Sequence, residues 1–225
     1  MGIKLAVFDI AGTTLKDNHD VSKVFQTALS HFDYQLSLDQ IDPLMGYEKA
    51  FAIRQLLEAH SPKPIEDQLV KSIHQQFMEL MMRYYETADL QPLPNVETTF
   101  RKLQDADIRV GINTGFSRNI ASIIIDRLQW EKNKLIDLLI ASDEVPEGRP
   151  HPYMIRSMME TLQISDPLEV MKTGDTEVDI REGQNAGCRY VIGITTGIFS
   201  RDALAIYNPT HIIDDIADVV TIASL

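Results

Sequence analysis

The sequence predicts an α/β protein in which a doubly wound parallel sheet carries an inserted all-helical domain. Short apolar runs of strand length alternate with longer amphipathic stretches of helical period along most of the 225 residues. The apolar runs are continuous, which is typical of strands buried on both faces of a sheet. The stretch 17–90 interrupts this alternation and shows helical patterns alone.

The strands and helices of the sheet region are predicted in alternating order. The first strand is predicted at 5–10 and ends at Ala11-Gly12. Further strands are predicted at 108–113, 136–141, 169–173, 190–195 and 211–213. Helices are predicted between and after them at 96–105, 118–129, 152–163, 178–186 and 201–206. Because strand–helix–strand crossovers are right-handed, this order favours a Rossmann-like sheet with helices on both faces.

Proline residues divide the helical insertion into separate predicted helices. Helices are predicted at 20–32, 48–59 and 65–87, separated by Pro43 and by Ser61-Pro-Lys-Pro64. The segment Gln91-Pro-Leu-Pro94 marks the return to the sheet, since proline stops helices and stiffens linkers. The sequence therefore predicts a core domain formed by residues 1–16 and 91–225 and a helical cap domain of residues 17–90.

Composition excludes some classes of partner. The formal net charge is −12, from 33 acidic and 21 basic residues, and such a surface repels nucleic acid and anionic membranes. Cys188 is the single cysteine, so no intrachain disulfide can form, which favours a reducing compartment. The apolar stretch at the N-terminus is too short for a signal peptide or a membrane span. These observations predict a cytoplasmic protein with a small-molecule partner, no nucleic acid and no membrane.

Asp9 lies at the end of the first predicted strand. Ligands of open parallel sheets bind at the carboxyl ends of the strands. The following turn contains Gly12 and Thr13, whose backbone N–H groups can hold an anion. A carboxylate in this position can attack phosphorus and form an acyl-phosphate, provided that a cation reduces the repulsion between the two anions.

The ends of the other strands supply matching groups. Thr114 and Gly115 follow the second strand and can donate to phosphoryl oxygens. Arg149 follows the third strand and offers a planar, permanently charged fork. Asp175 and Asp179 follow the fourth strand, and with Asp9 they form an oxygen-rich set that suits Mg²⁺. The set predicts a magnesium-dependent hydrolase with Asp9 as its nucleophile.

With this order of motifs, the chain resembles the haloacid dehalogenase superfamily of hydrolases, and within it the phosphonatases (phosphonoacetaldehyde hydrolases) or a phosphonatase-like sister group. Three features carry the narrower resemblance. Ala11 replaces the aspartate that phosphatases use as a general acid, Arg149 lies in Gly-Arg-Pro-His-Pro-Tyr, and the cap contains Met45-Gly46-Tyr-Glu-Lys49. Gly174-Asp175-Thr176 and Glu182-Gly-Gln-Asn-Ala-Gly187 also look like the phosphonatase pattern.

The resemblance implies roles for individual residues. Asp9, Lys49 and Arg149 would be catalytic, and Lys49 would form a Schiff base with the substrate aldehyde. The metal would be held by Asp9, Ala11, Asp175 and Asp179. The phosphoryl group and substrate would be bound by Ala11, Gly12, Thr13, Thr114, Gly115, Met45 and Gly46. The resemblance also implies a homodimer built through the cap, for which Phe77, Met81 and Tyr84 are the candidate face; a contact between cap and core within a monomer would explain the same residues.

The chemistry of Lys49 agrees with that resemblance. Cleavage of a phosphorus–carbon bond leaves a carbanion, and a protonated imine can accept its electrons as an enamine. No acid is then needed beside a leaving alkoxide, so Ala11 is tolerated. The sequence departs from the phosphonatase pattern at Ala52, Phe116 and His19, where the family has histidine, tyrosine and cysteine. The predicted substrate is therefore phosphonoacetaldehyde or a related small phosphonate or phosphate.

Three other functions are compatible with parts of the pattern. A phosphatase of the phosphoglycolate type would lack its proton donor at Ala11, a group that is typically worth ~10²–10⁴-fold in rate. A receiver domain of two-component signalling also phosphorylates an aspartate, but it is too short to include the insertion 17–90. A catalytically inactive binding protein would not need the complete set of Asp9, Thr114, Arg149 and Asp175.

Overall fold

A computed structural model describes residues 2–224 and contains a six-stranded sheet in which all neighbouring strands are parallel. The strands are β1 Leu5–Phe8, β2 Arg109–Thr114, β3 Leu138–Ala141, β4 Val170–Gly174, β5 Tyr190–Ile194 and β6 His211–Ile213. Their spatial order is β3-β2-β1-β4-β5-β6, so the chain winds outward from β1 first to one edge and then to the other. The predicted doubly wound parallel sheet is confirmed.

Strand β1 lies at the centre of the sheet and is buried on both faces. Ala6 and Phe8 belong to the larger apolar core, whereas Leu5 and Val7 pack into a second core on the opposite face. This explains the continuous apolar run, because successive side chains of a strand point to opposite faces. Phe8 pairs with Ile112 of β2 and Thr173 of β4, so the residues after these strands meet at one edge.

Ten α-helices accompany the sheet in the described part of the chain. Those between β1 and β2 are α1 Asp20–Ser30, α2 Leu38–Ile41, α3 Lys49–His60, α4 Asp67–Thr87 and α5 Val96–Asp105. Those after β2 are α6 Arg118–Leu128, α7 Tyr153–Thr161, α8 Glu177–Ala186, α9 Arg201–Ala205 and α10 Asp218–Ala223. Short 3₁₀ turns occupy Asp42–Leu44, Ser142–Glu144 and Pro167–Glu169. None of the helices in residues 2–224 is both long and apolar enough to cross a membrane.

The insertion is helical and its two ends run side by side. Lys16 N–H donates to Gln91 O at 3.1 Å, and Leu93 N–H donates to Thr14 O at 3.0 Å. Helices α1 and α4 pack together through Phe25 and Phe77, whose ring centroids lie 5.0 Å apart. The domain limits at 16/17 and 90/91 stay a prediction, which this paired crossing supports.

Two details differ from the sequence expectations. Strand β1 ends at Phe8 instead of residue 10, because the carbonyl of Ile10 accepts the N–H groups of Thr14 and Leu15 and starts a turn. Helices α2 and α10 were not expected, since four and six residues are too few to show a helical period.

The cap residues suggested for dimerisation pack mainly within the chain instead. Phe77 and Met81 are fully buried within one chain, and Tyr84 is half-buried. These two apolar side chains therefore stabilise the cap itself and cannot form a dimer surface. A homodimer stays a prediction that would need other cap residues.

Candidate active site

The turn after β1 holds Asp9 at the centre of the sheet edge. The Asp9 N–H donates to Thr173 O at 3.1 Å, and Thr14 Oγ1 donates to Asp9 O at 2.8 Å. Gly12 has a φ of +80°, and a Cβ there would lie 2.6 Å from Asp175 Oδ2. Only glycine therefore allows the turn to approach Asp175 this closely. The turn fixes the main chain of Asp9 and leaves its buried carboxylate to face the neighbouring strand ends.

Three aspartates form a compact carboxylate cluster, which we call the acidic triad: Asp9, Asp175 and Asp179. One carboxylate oxygen from each lies within 4.8 Å of the others. Asp175 accepts the Thr13 hydroxyl at 3.2 Å and the Ile198 N–H at 3.1 Å. Asp179 accepts the Thr176 hydroxyl at 2.6 Å. Each side chain is thus fixed by a neighbour, so the cluster is preorganised.

Arg149 lies behind the acidic triad and is fully buried. Its Nη2 donates to Asp9 Oδ1 at 2.6 Å and to the main-chain oxygen of Asn113 at 2.7 Å. Its Nη1 lies 2.8 Å from Asp179 Oδ1, and its Nε lies 3.4 Å from Glu182 Oε2. The guanidinium therefore spans three carboxylates and fixes the orientation of Asp9.

Three buried residues that sequence reasoning did not assign to the site complete this network: Asn113, Lys172 and Glu182. Lys172 Nζ donates to Asn113 Oδ1 at 2.6 Å and lies 2.9 Å from Asp179 Oδ1. Asn113 Nδ2 donates to both oxygens of Glu182, at 2.8 and 2.9 Å. A signal was present in the sequence: Lys172 lies inside an apolar strand, where an unpaired charge would be costly.

The buried charges of this network do not balance. Four carboxyl groups (Asp9, Asp175, Asp179 and Glu182) face two cations (Arg149 and Lys172). Burial raises the pKa of Asp175 well above its usual value, and the neighbouring Asp9 and Asp179 raise it further. Burial also raises the pKa of Asp9, although Arg149 opposes it.

Asp179 behaves differently from the other two members of the triad. Burial opposes its ionisation, but Arg149 and Lys172 outweigh burial and hold its pKa below the ordinary value. The triad therefore has oxygen donors and excess negative charge, which are the properties of a site for a hard divalent cation.

The cap contacts this edge of the sheet through glycines. Gly46 has a φ of +87°, and a Cβ there would lie 2.5 Å from Thr176 Oγ1. A Cβ on Gly115 would lie 2.6 Å from Gly46 O and 3.0 Å from Tyr47 O. The two backbones therefore touch where larger residues would hold them apart.

We expect Gly115→Ala to impair catalysis without unfolding the protein. The added methyl meets backbone oxygens, which cannot rotate away, so the cap segment must shift and carry Lys49 with it. A displacement of about 1 Å can cost ~10²-fold in rate, and we expect a loss of ~10–10²-fold in kcat/KM. Steady-state kinetics and thermal unfolding would measure it. Gly193→Ala is the matched control, since its Cβ would meet only the flexible Leu204 side chain at 3.3 Å; equal losses would contradict the prediction.

Lys49 begins helix α3 and is buried, with 4% of its surface exposed. Its Nζ donates to Tyr47 O at 3.1 Å and lies 5.6 Å from the centre of the Phe116 ring. Burial lowers the pKa of Lys49 from 10.5 to about 8, with Asp9 opposing the shift. Lys49 is thus a lysine that can be neutral, and hence nucleophilic, near physiological pH.

A cavity opens beside Asp9 and Lys49, where the cap meets the strand ends. The predicted site residues that line it are Asp9, Ala11, Met45, Gly46, Lys49, Thr114, Gly115 and Asp175. The other four lie behind its wall: Gly12 and Thr13 against Asp175, and Arg149 and Asp179 beside Asp9. The structure therefore brings the predicted residues into one region, and their individual roles stay predictions. Asp17, Val21, Phe116, Thr176 and Ile198 also line the cavity and were not predicted to do so.

Comparison with known proteins identifies relatives of the whole arrangement. Residues 6–192 match the family model described as haloacid dehalogenase-like hydrolase. The chain is 30% identical over 194 residues to a bifunctional phosphonoacetaldehyde hydrolase/aminoethylphosphonate transaminase of Clostridioides difficile, covering 82% of this chain and 30% of that protein. It is 27% identical over 207 residues to phosphonoacetaldehyde hydrolase of Bacillus cereus, covering 88% of this chain and 77% of that protein.

A solved structure shares the fold. The crystal structure of a phosphonoacetaldehyde hydrolase-like protein from Oleispira antarctica matches with a TM-score of 0.88 at 20% identity. The match covers 100% of this chain and 92% of the other. The sheet and the helical insertion are thus arranged as in that protein.

Proposed function

The chain belongs to the haloacid dehalogenase-like hydrolases, and from that premise we propose that it is a magnesium-dependent, phosphonatase-like enzyme. Its proposed substrate is phosphonoacetaldehyde or a related small phosphonate or phosphate. One observation carries the proposal: Lys49, a buried amine with a lowered pKa, lines the same cavity as Asp9. A phosphatase needs no such amine, whereas cleavage of a phosphorus–carbon bond beside an aldehyde does.

Asp9 acts as the nucleophile in this proposal. Its carboxylate attacks phosphorus and forms an aspartyl-phosphate, which water then hydrolyses. Arg149 holds Asp9 Oδ1 at 2.6 Å and so limits the rotation of the attacking group. Thr114 Oγ1 accepts the Phe116 N–H at 3.2 Å, which leaves its hydroxyl proton available to a phosphoryl oxygen in the cavity.

Lys49 provides the electron sink. Its neutral amine attacks the aldehyde carbon, water leaves, and a protonated imine forms. When the phosphorus–carbon bond breaks, its electron pair moves into the imine and gives an enamine, so no free carbanion is produced. Bulk water has little access to the amine itself, because Lys49 is almost completely covered.

Magnesium is the proposed cofactor, held by Asp9, Asp175 and Asp179 together with the main-chain oxygen of Ala11. Bound there, it would neutralise the charge of the phosphonate and of the attacking carboxylate.

We expect Mg²⁺ to stabilise the fold as well as to support activity. A cation offsets the excess negative charge of the triad, and at 100 times its Kd it contributes ~2.7 kcal/mol. For a chain of this length that corresponds to a rise in Tm of about 5–10 °C. Thermal unfolding with and without a chelator measures it. Asp175→Asn is expected to lose the Mg²⁺-dependent shift, and a wild-type Tm that does not respond to millimolar Mg²⁺ would contradict the proposed site.

Borohydride trapping tests the proposed function directly. Incubation with phosphonoacetaldehyde and sodium borohydride should convert the imine into a stable secondary amine, and peptide mapping should place it on Lys49. The absence of an adduct, together with magnesium-dependent turnover of ordinary phosphate esters, would favour the phosphoglycolate phosphatase type instead.

The remaining parts of the proposal concern partners and location. We propose a small-molecule substrate in the cytoplasm, with no nucleic acid and no membrane as partners. The acidic composition and the single cysteine support this.

A further inference from the structure

Asp17 is the acid of the cavity that the proposed mechanism does not use. Among the residues that line the cavity, the ionisable ones are Asp9, Asp175, Lys49 and Asp17. Asp9 and Asp175 belong to the acidic triad, and Lys49 is the amine. Asp17 follows the turn after β1, outside the triad, and is half-buried.

The position of Asp17 is fixed by the start of α1. Its Oδ1 accepts the N–H of Asp20 at 2.7 Å and that of Val21 at 3.4 Å. One oxygen therefore accepts the first two N–H groups of α1, from a position two residues before the N-cap residue His19. Within residues 2–224, no protein hydrogen bond to the second oxygen accompanies these two. A fixed carboxyl group with one oxygen to spare thus borders the space beside Lys49.

The imine chemistry of Lys49 needs a proton at one defined point. Attack on an aldehyde gives a carbinolamine, whose hydroxyl must be protonated before it can leave as water. Phe116, whose ring centre lies 5.6 Å from the amine, cannot supply that proton, and neither can Ala52 of α3 or Ala11 in the turn, since all three side chains are hydrocarbons. Burial raises the pKa of Asp17, so its carboxyl keeps a proton closer to neutral pH than an exposed aspartate does.

We propose that Asp17 is the proton donor for imine formation at Lys49, an inference that rests on the proposed function. The carboxyl gives its proton to the carbinolamine hydroxyl, the carbon–oxygen bond breaks, and water leaves. The nitrogen lone pair forms the C=N bond. The resulting iminium faces the Asp17 carboxylate, which attracts it. Solvent returns the proton to Asp17, since the side chain is only half-buried.

The variant Asp17→Asn distinguishes proton donation by Asp17 from its structural role at the start of α1. Asparagine keeps the oxygen that accepts the first two N–H groups of α1, so the fold should be retained, but it has no carboxyl proton. We expect the rate of Lys49 adduct formation, measured by quenching with borohydride at successive times, to fall by ~10²-fold or more. The Tm, and the Kd for inorganic phosphate in the presence of Mg²⁺, should stay as in the wild type.

Asp20→Asn is the matched control, because Asp20 lies in the same turn but does not line the cavity. Adduct formation in this variant should proceed at the wild-type rate. If Asp17→Asn and wild type form the adduct equally fast, the inference is wrong while the proposed function stands. A lower Tm or weaker phosphate binding in Asp17→Asn would show a structural role and would also overturn the inference. If the wild type forms no adduct, the proposed function itself fails.

Discussion

Asp9→Asn is expected to abolish turnover of every substrate, with a fall in kcat of more than ~10⁴-fold. Asparagine cannot attack phosphorus, yet its side-chain oxygen can still accept the Arg149 hydrogen bond that Asp9 Oδ1 receives at 2.6 Å. The loss therefore reports the carboxylate of Asp9, as proposed nucleophile and metal ligand, and not a lost contact with Arg149. Quenched-flow or long-time assays of phosphate release with Mg²⁺ would measure the residual rate.

Stability gives this variant a second readout. Burial raises the folded-state pKa of Asp9 above its unfolded value, so at neutral pH its ionised form destabilises the fold. Replacing it by a neutral residue removes that cost, and the Tm of the metal-free protein should be equal or higher. Asp126→Asn, on the exposed side of α6, is the matched control and should retain activity. Substantial turnover by Asp9→Asn would refute the nucleophile and with it the whole mechanism.

Lys49→Met is expected to lower turnover of phosphonoacetaldehyde by at least ~10³-fold, because methionine fills a similar volume but cannot form an imine. At a pH of about 7.5, a pKa of about 8 leaves roughly a quarter of the wild-type amine neutral. At the ordinary value of 10.5 the neutral fraction would be only about 0.1%. The buried position thus supplies much of the reactivity that the substitution removes.

The loss in Lys49→Met should be specific to the amine. The folded-state pKa of Lys49 is depressed, so its charged form destabilises the fold at neutral pH, and the apolar variant should unfold at an equal or higher temperature. Binding of inorganic phosphate in the presence of Mg²⁺ should change little. Lys71→Met, at an exposed position on α4, is the matched control. Phosphonate turnover that survives in Lys49→Met would exclude the imine mechanism.

The positions of Asp9 and Arg149 at strand ends could be anticipated because parallel strands bring their carboxyl ends to one edge. That rule needs only the order of strands, which the continuous apolar runs make visible. The contacts that Lys172 and Glu182 make behind Arg149 could not be anticipated in the same way. Glu182 lies on α8 in a motif that by itself assigns it no contact, but the packing of α8 against β4 places it beside Lys172.

The dimer face suggested on α4 shows what a sequence pattern leaves open. An apolar stripe on α4 indicates burial, but periodicity does not distinguish a partner helix of the same chain from a second subunit. Phe77 packs on Phe25 of α1, so the insertion itself covers the stripe.

The sequence by itself determined the parallel sheet, the helical insertion and the placement of one aspartate, a basic residue and an acid pair after the strands. These depend on local periodicity and on strand order, which the chain carries directly. Only the tertiary structure decided that Lys49 is buried beside Phe116, that Lys172 and Glu182 support Arg149 and Asp179, and that Asp17 borders the cavity. Desolvation and charge pairing depend on residues far apart in the chain, and folding alone brings those residues together.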